Sequence, residues 1–300
     1  MSVPFALPAA LTYGIADFAG GLAARRAPVL VVTVVAQAAG LLSLLLVIGL
    51  VAGRPSPAAF GLGALAGIAG ASGLLLYLKA LSVGPMGVVA PLSAVVGAGL
   101  PLAVGLLGGE RLGPVAVLGV AVALVAILLA TAGTRNDRAA GTGVLLGLAA
   151  GLGFGMFFVG VNAAPDDSGL WPLLGGRIVS VALLTGLVLR HHLPLPTRTR
   201  RVPNLVPAAA GPDVQARRDA RSGTRATMAL MAVSGVFDTL ANVLFLVAAR
   251  IGDLGVSAVV VSLYPVVVVL LARVVLGERL TRTQLVAAAL ALTSSGMLAA

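Results

Sequence analysis

Cysteine is absent from the chain. That excludes disulfides, thiolate metal sites and cysteine nucleophiles. Charge is nearly as scarce. Only 10% of residues are charged, whereas a soluble domain carries about 25%. So few charges cannot clothe a water-facing surface. Lysine occurs once, as Lys79, and tryptophan once, as Trp171. Catalytic signatures are missing too. No glycine-rich loop ends in Lys-Ser or Lys-Thr, so ATP-driven work has no phosphate cradle here. No Ser–His–Asp set lies within the apolar runs, and no enzyme activity or cofactor is expected. His191 and His192 stand side by side after Arg190 without further ligands, which reads as an interfacial pair rather than a metal site.

What remains is apolar. The chain is 59% hydrophobic with a mean hydropathy of +1.08, the composition of a polytopic membrane protein. A spanning helix needs about 20 mainly apolar residues. Ten such runs are legible: 3–23, 29–51, 58–78, 86–108, 113–132, 141–162, 170–190, 227–249, 254–276 and 282–300. The first follows Met1-Ser-Val-Pro-Phe with no basic flank, so it is expected to stay in the mature protein. The breaks carry turn chemistry, such as Arg25-Arg-Ala-Pro, Gly53-Arg-Pro-Ser-Pro and Val83-Gly-Pro. The exception is about 191–226, where prolines and arginines crowd a stretch without apolar period. It is expected to be a flexible basic loop. The net charge of +10 sits in connections between apolar runs, so it points to membrane topology and not to nucleic acid.

The chain repeats itself. Val88-Val-Ala-Pro-Leu-Ser leads to Gly109-Glu110-Arg111-Leu112, and 168 residues on Val256-Ser-Ala-Val leads to Gly277-Glu278-Arg279-Leu280. Ala80, Gly84, Gly87, Ala90 and Leu102 meet identical residues at that offset. The first two runs of each half align near an offset of 141, with Tyr13-Gly14 over Phe154-Gly155. The extra residues of the second half fall in the basic stretch, which therefore reads as an insertion. The expected architecture is an all-α membrane protein of ten transmembrane helices. Residues 1–135 form one five-helix repeat and 136–300 the other. Five is odd, so the second half enters from the opposite side, giving the inverted repeats typical of secondary transporters. Pro91, Pro101 and Pro265 fall inside the fourth and ninth runs and are expected to kink them.

The two helix pairs joined by Gly109-Glu110-Arg111 and Gly277-Glu278-Arg279 resemble the EamA family of the drug/metabolite transporter superfamily. So do the turns Val83-Gly84-Pro85 and Ile251-Gly252-Asp253 and the opening Tyr13-Gly-Ile-Ala-Asp-Phe. The resemblance covers essentially the whole chain. It implies a ten-helix carrier with a central cavity open to one side at a time.

Ionisable residues inside spans cost roughly 2.5–3.5 kcal/mol on insertion scales, so they face cavities or partners. Three qualify. Asp17 is in the first run, with Tyr13 one turn earlier. Asp238 is in the eighth, with Asn242 one turn later. Arg177 is in the seventh, and the repeat sets it within one residue of Gln37 in the second. Both halves thus place a polar group at equivalent depth. A buried carboxylate holds its proton more readily, so Asp17 or Asp238 can bind a proton or a cationic group, while Arg177 can hold a carboxylate or phosphate. The alternative is an Asp–Arg pair that only orients helices. Tyr77 and Tyr264 are candidate lining residues. Glu110 and Glu278 read as interfacial turns near helix starts, Trp171 as an interface anchor, and Lys79 as a snorkelling cation.

The expected function is secondary active transport of a small metabolite or drug-like solute, as an exporter driven by protons or exchange, in a bacterial cell membrane. The competing reading is a membrane scaffold that binds lipid headgroups or a partner through its basic stretch. A channel is disfavoured, for no filter-like motif or charge ring is repeated. Connections after odd-numbered runs hold sixteen basic residues against three after even-numbered ones. The positive-inside rule places the former in the cytoplasm and both termini outside; the family resemblance implies the reverse. Single cysteines introduced at Ser2 and Ser222 decide between them. On the charge rule, an impermeant reagent added outside cells labels the first and spares the second.

Overall fold

The computed structural model describes residues 3–107, 114–115, 118–119, 121–122, 125–126, 129, 138–191, 214–251, 261, 264–277 and 282–298. Among them there is no strand. Nine α-helices have continuous ranges: α1 Val3–Ala24, α2 Val29–Val47, α3 Pro57–Val83, α4 Met86–Leu107, α5 Arg138–Asn162, α6 Trp171–Arg190, α7 Val214–Ile251, α8 Tyr264–Leu276 and α9 Arg282–Leu298. Six are long and apolar enough to cross a membrane, within α1, α2, α3, α5, α6 and α7, and two shorter apolar stretches lie at Met86–Gly97 and Tyr264–Leu276. Most of the fifth expected run lies outside the described residues; its described residues are helical. So do the Gly-Glu-Arg segments at 109–111 and 278–279, while Gly277 has a positive φ of 65°, the geometry glycine tolerates best.

Local sequence sets the helix ends. Ser56 caps α3 by accepting from the Ala59 backbone N–H at 3.1 Å, and Pro57 occupies the first turn, where its missing N–H costs nothing. The helix stops at Gly84, one residue before Pro85. One expectation needs correction. The stretch 191–226 is not a loop throughout: α7 begins at Val214, because beyond Pro212 the sequence Val-Gln-Ala-Arg-Arg-Asp-Ala-Arg favours helix and extends the span backwards. Pro265 follows Tyr264 in α8; residues 262–263 lie outside the described residues, and Val261 before them is helical. Pro91 and Pro101 lie within α4.

Large apolar side chains face outward, with Leu46 83%, Leu50 82% and Val274 81% exposed, as a lipid-facing surface requires. The interior is held by close helix crossings. α1 packs on α7, and α5 on α3; α2 packs on α7, and α6 on α3; α8 packs on α1, and α4 on α5. Each pair maps onto its fellow under the sequence offsets. The tightest approaches are made by glycine. A Cβ at Gly235 of α7 would fall 1.9 Å from the Ala36 carbonyl oxygen of α2, and one at Gly67 of α3 would fall 2.3 Å from that of Gly176 in α6. Gly67 and Gly235 are related by the 168-residue offset, and Ala36 and Gly176 by 140. A hydroxyl pins each crossing. Thr239 donates to the Gly40 carbonyl at 3.1 Å and Ser180 to that of Gly67 at 2.9 Å.

Both ends of the bundle are tied. At one, Trp171 Nε1 donates to the Gly53 carbonyl at 3.2 Å, and the Arg54 backbone N–H donates to the Asp167 carbonyl at 2.8 Å. At the other, Arg25 donates to the carbonyls of Leu81 and Gly84 at 3.2 and 3.3 Å, placing a cation on the C-terminal end of α3, where the helix dipole favours it.

Gly235→Val should therefore lower the thermal unfolding temperature of the detergent-purified protein, with overpacking costing about 1–3 kcal/mol. Gly61→Val should not, since nothing lies within 4 Å of a Cβ there. Equal unfolding temperatures for the two variants would contradict this account of the crossing.

Candidate functional site

The close crossings fix where polar groups can go. Gln37 follows Ala36, Arg177 follows Gly176, and Asp238 lies one turn after Gly235. Where the backbones nearly touch, these three side chains are brought together. The Arg177 guanidinium donates to Gln37 Oε1 from α2 and to Asp238 Oδ2 from α7. The pair is largely buried, with Arg177 13% and Asp238 25% exposed. Asn242 donates to the Asp238 backbone carbonyl at 2.7 Å and reaches its carboxylate at 3.4 Å. Gly40 makes room for the guanidinium: a Cβ there would lie 3.2 Å from Arg177 Cζ.

Asp17 forms a second centre. Its carboxylate accepts a hydrogen bond of 2.9 Å from the Tyr77 hydroxyl of α3. Tyr13 packs its ring on that of Tyr264, with centroids 5.9 Å apart, and Tyr77 meets Phe154 edge-on at 5.5 Å. The Tyr13 hydroxyl is buried and has no hydrogen-bond partner among the described residues. Asp17, Arg177 and Asp238 line one narrow cavity, together with Ser234, Leu74 and the chain at Ala16, Ala36 and Gly235. Of the eight residues singled out from the sequence, Asp17, Arg177 and Asp238 line this cavity; Gln37 and Asn242 are hydrogen-bonded to the Arg177–Asp238 pair, Tyr77 to Asp17, and Tyr13 and Tyr264 meet each other by their rings. Among the described residues, no group of three or more His, Cys, Asp and Glu side chains converges as a metal site would need.

A model of the EamA-like transporter family matches residues 141–300. The chain belongs to this family. Its multi-pass, apolar and helical build is that of a membrane transporter family within the drug/metabolite transporter superfamily. A solved protein structure is similar over 99% of this chain and 96% of its own length, with a TM-score of 0.56 at 19% identity, so the fold is shared. No curated protein matches in sequence.

The EamA-like chain also shows what the sequence reading missed. Under the offsets of 141 and 168, Asp17 corresponds to Phe158 and Tyr77 to Phe245. The two phenylalanines are in contact, with ring centroids 6.4 Å apart, where the other half has its carboxylate–phenol hydrogen bond. Neither phenylalanine is among the residues that line the cavity, and Phe158 is 37% exposed. What the sequence missed is Ser234 and Gly40, which carried no signal because their place depends on which helices cross.

The buried ion pair makes a stability prediction. Removing one partner strands a charge, at about 3–5 kcal/mol by the general behaviour of such pairs. Arg177→Met alone should therefore lower thermal stability more than the double substitution Arg177→Met with Asp238→Leu. A double variant as unstable as the sum of the singles would show that the pair is not coupled.

Proposed function

We propose that this EamA-like protein is a secondary transporter that moves a small solute by alternating access, with its binding and coupling groups in the cavity between two halves. Those halves are residues 1–135 and 136–300, ten spans in two inverted five-helix repeats. The observation that carries the reading is the buried charge. Three ionisable side chains on α1, α6 and α7 line one cavity in a chain with almost none elsewhere in its spans. Such groups are costly in lipid and mark solute or ion pathways. The exchange of packing partners between halves supports the inverted repeat, for it brings equivalent residues to the same depth. Ties at both ends of the bundle fit a state closed to both sides. Opening one side requires breaking the Trp171–Gly53 contact, and opening the other the Arg25 contacts to the end of α3.

The direction is export, and coupling is to protons or to a second solute. The charge-rich side faces the cytoplasm. There the first turns of α7, with Arg217, Arg218 and Arg221, extend a 38-residue helix well past the roughly 20 residues that span a bilayer. This extension favours an added contact with anionic headgroups, and it leaves the cavity untouched.

The first test needs no substrate. In proteoliposomes of fixed orientation, a single cysteine at Ser234 should react with an impermeant maleimide supplied from either side. Labelling from one side only would rule out alternating access. Under a proton gradient, Asp17→Asn and Asp238→Asn should uncouple solute movement from pH, and unchanged coupling in both would remove the proton role.

A further inference from the structure

The two carboxylates of the cavity are not equivalent, and the difference identifies a kind of ligand. Asp238 has its countercharge, since Arg177 donates to it and Asn242 supports it. Arg177 is itself spent on Asp238 and Gln37. Asp17 has only a phenol, Tyr77, among the described residues. With all three groups ionised the cavity carries one negative charge in excess, and that charge is on Asp17. An unpaired charge away from water is costly, so Asp17 is held either as the neutral acid or beside a cation.

Its surroundings suit one with a hydrocarbon body. Tyr77 and Phe154 meet edge-on beside it, and Tyr13, one helical turn before Asp17, packs its ring at a tilt on that of Tyr264. Aromatic faces attract ammonium groups by about 0.5–2 kcal/mol each. The orphaned Tyr13 hydroxyl adds a requirement. A quaternary cation offers it nothing, whereas an N–H of a protonated amine donates to its oxygen.

We infer that Asp17, Tyr13, Tyr77 and Tyr264 form a subsite for the ammonium group of a protonated organic amine with an apolar body, and that Arg177–Asp238 is a positioning pair outside that subsite. The inference rests on the transporter reading and deepens it. When Asp17 is protonated it must release that proton before the ammonium can pair with it: carboxylic acid plus ammonium gives the carboxylate–ammonium pair plus one proton. Amine and proton therefore compete for one group. The titratable or charged groups facing it are Tyr13 on its own helix, Tyr77 from α3, Asp238 from α7, Tyr264 from α8 and Arg177 from α6; α2 offers only the uncharged Gln37.

The probe is 2-phenylethylammonium, with 3-phenylpropanoate as its anionic counterpart, titrated calorimetrically into the detergent-purified full chain. The amine should bind saturably and the anion at least tenfold more weakly. Amine affinity should fall as the pH is lowered, by up to tenfold per unit once Asp17 protonates. Titrations in buffers of different ionisation enthalpy should count up to one proton released per amine. Asp17→Asn should lose tenfold or more in affinity and lose the pH dependence, while Asp17→Glu retains both; if the Asn variant does not fold, the wild-type pH profile and the Glu variant decide. Tyr13→Phe should weaken the primary amine several-fold and leave its trimethylammonium analogue unchanged. No amine binding by the wild type, preference for the anion, or unaltered binding in folded Asp17→Asn overturns the subsite. Should any of these occur while the Ser234 cysteine is labelled from both sides, only the ligand class falls; one-sided labelling removes the carrier itself.

Discussion

Two backbone crossings govern this molecule. Where α2 meets α7 at Ala36 and Gly235, and where α3 meets α6 at Gly67 and Gly176, no side chain fits between the helices. In lipid, helices gain little by hiding apolar surface from one another, since the tails outside are equally apolar. Small residues let the backbones close in, and dispersion and a few hydrogen bonds then hold them. The side chains next to these contact points cannot turn away. Gln37, Arg177 and Asp238 are each one residue or one turn from a crossing, so packing and polar site are one construction.

The same geometry explains how charge is tolerated. A guanidinium and a carboxylate in the membrane are stable only as a hydrogen-bonded set, and Gln37 and Asn242 complete it. Among the described residues, Asp17 has only the Tyr77 hydroxyl. The repeat sharpens the contrast, because its counterpart in the other half is Phe158. Positions related by the repeat thus carry different chemistry.

Much of this was legible in the residues. Membrane class followed from the scarcity of charge, helix positions from the apolar runs, and kinship from the Gly-Glu-Arg turns. The three intramembrane charges stood out because each is expensive. The start of α7 was not legible. Arg217, Arg218 and Arg221 look like loop by polarity, yet their helix propensity lets the spanning helix continue outward through them.

Composition and periodicity alone determined that the chain is a bundle of membrane helices with a duplicated pattern, because lipid permits few backbone solutions and each leaves a long apolar signature. Which carboxylate Arg177 would take was decided only in three dimensions. Asp17 and Asp238 are alike as letters, one turn from Tyr13 and from Asn242 respectively. The crossing at Gly235 sets Asp238 against the guanidinium, and the neighbouring α3 gives Asp17 a phenol instead. That distinction rests on which helices touch, and helix contacts through glycine leave no periodicity along the chain.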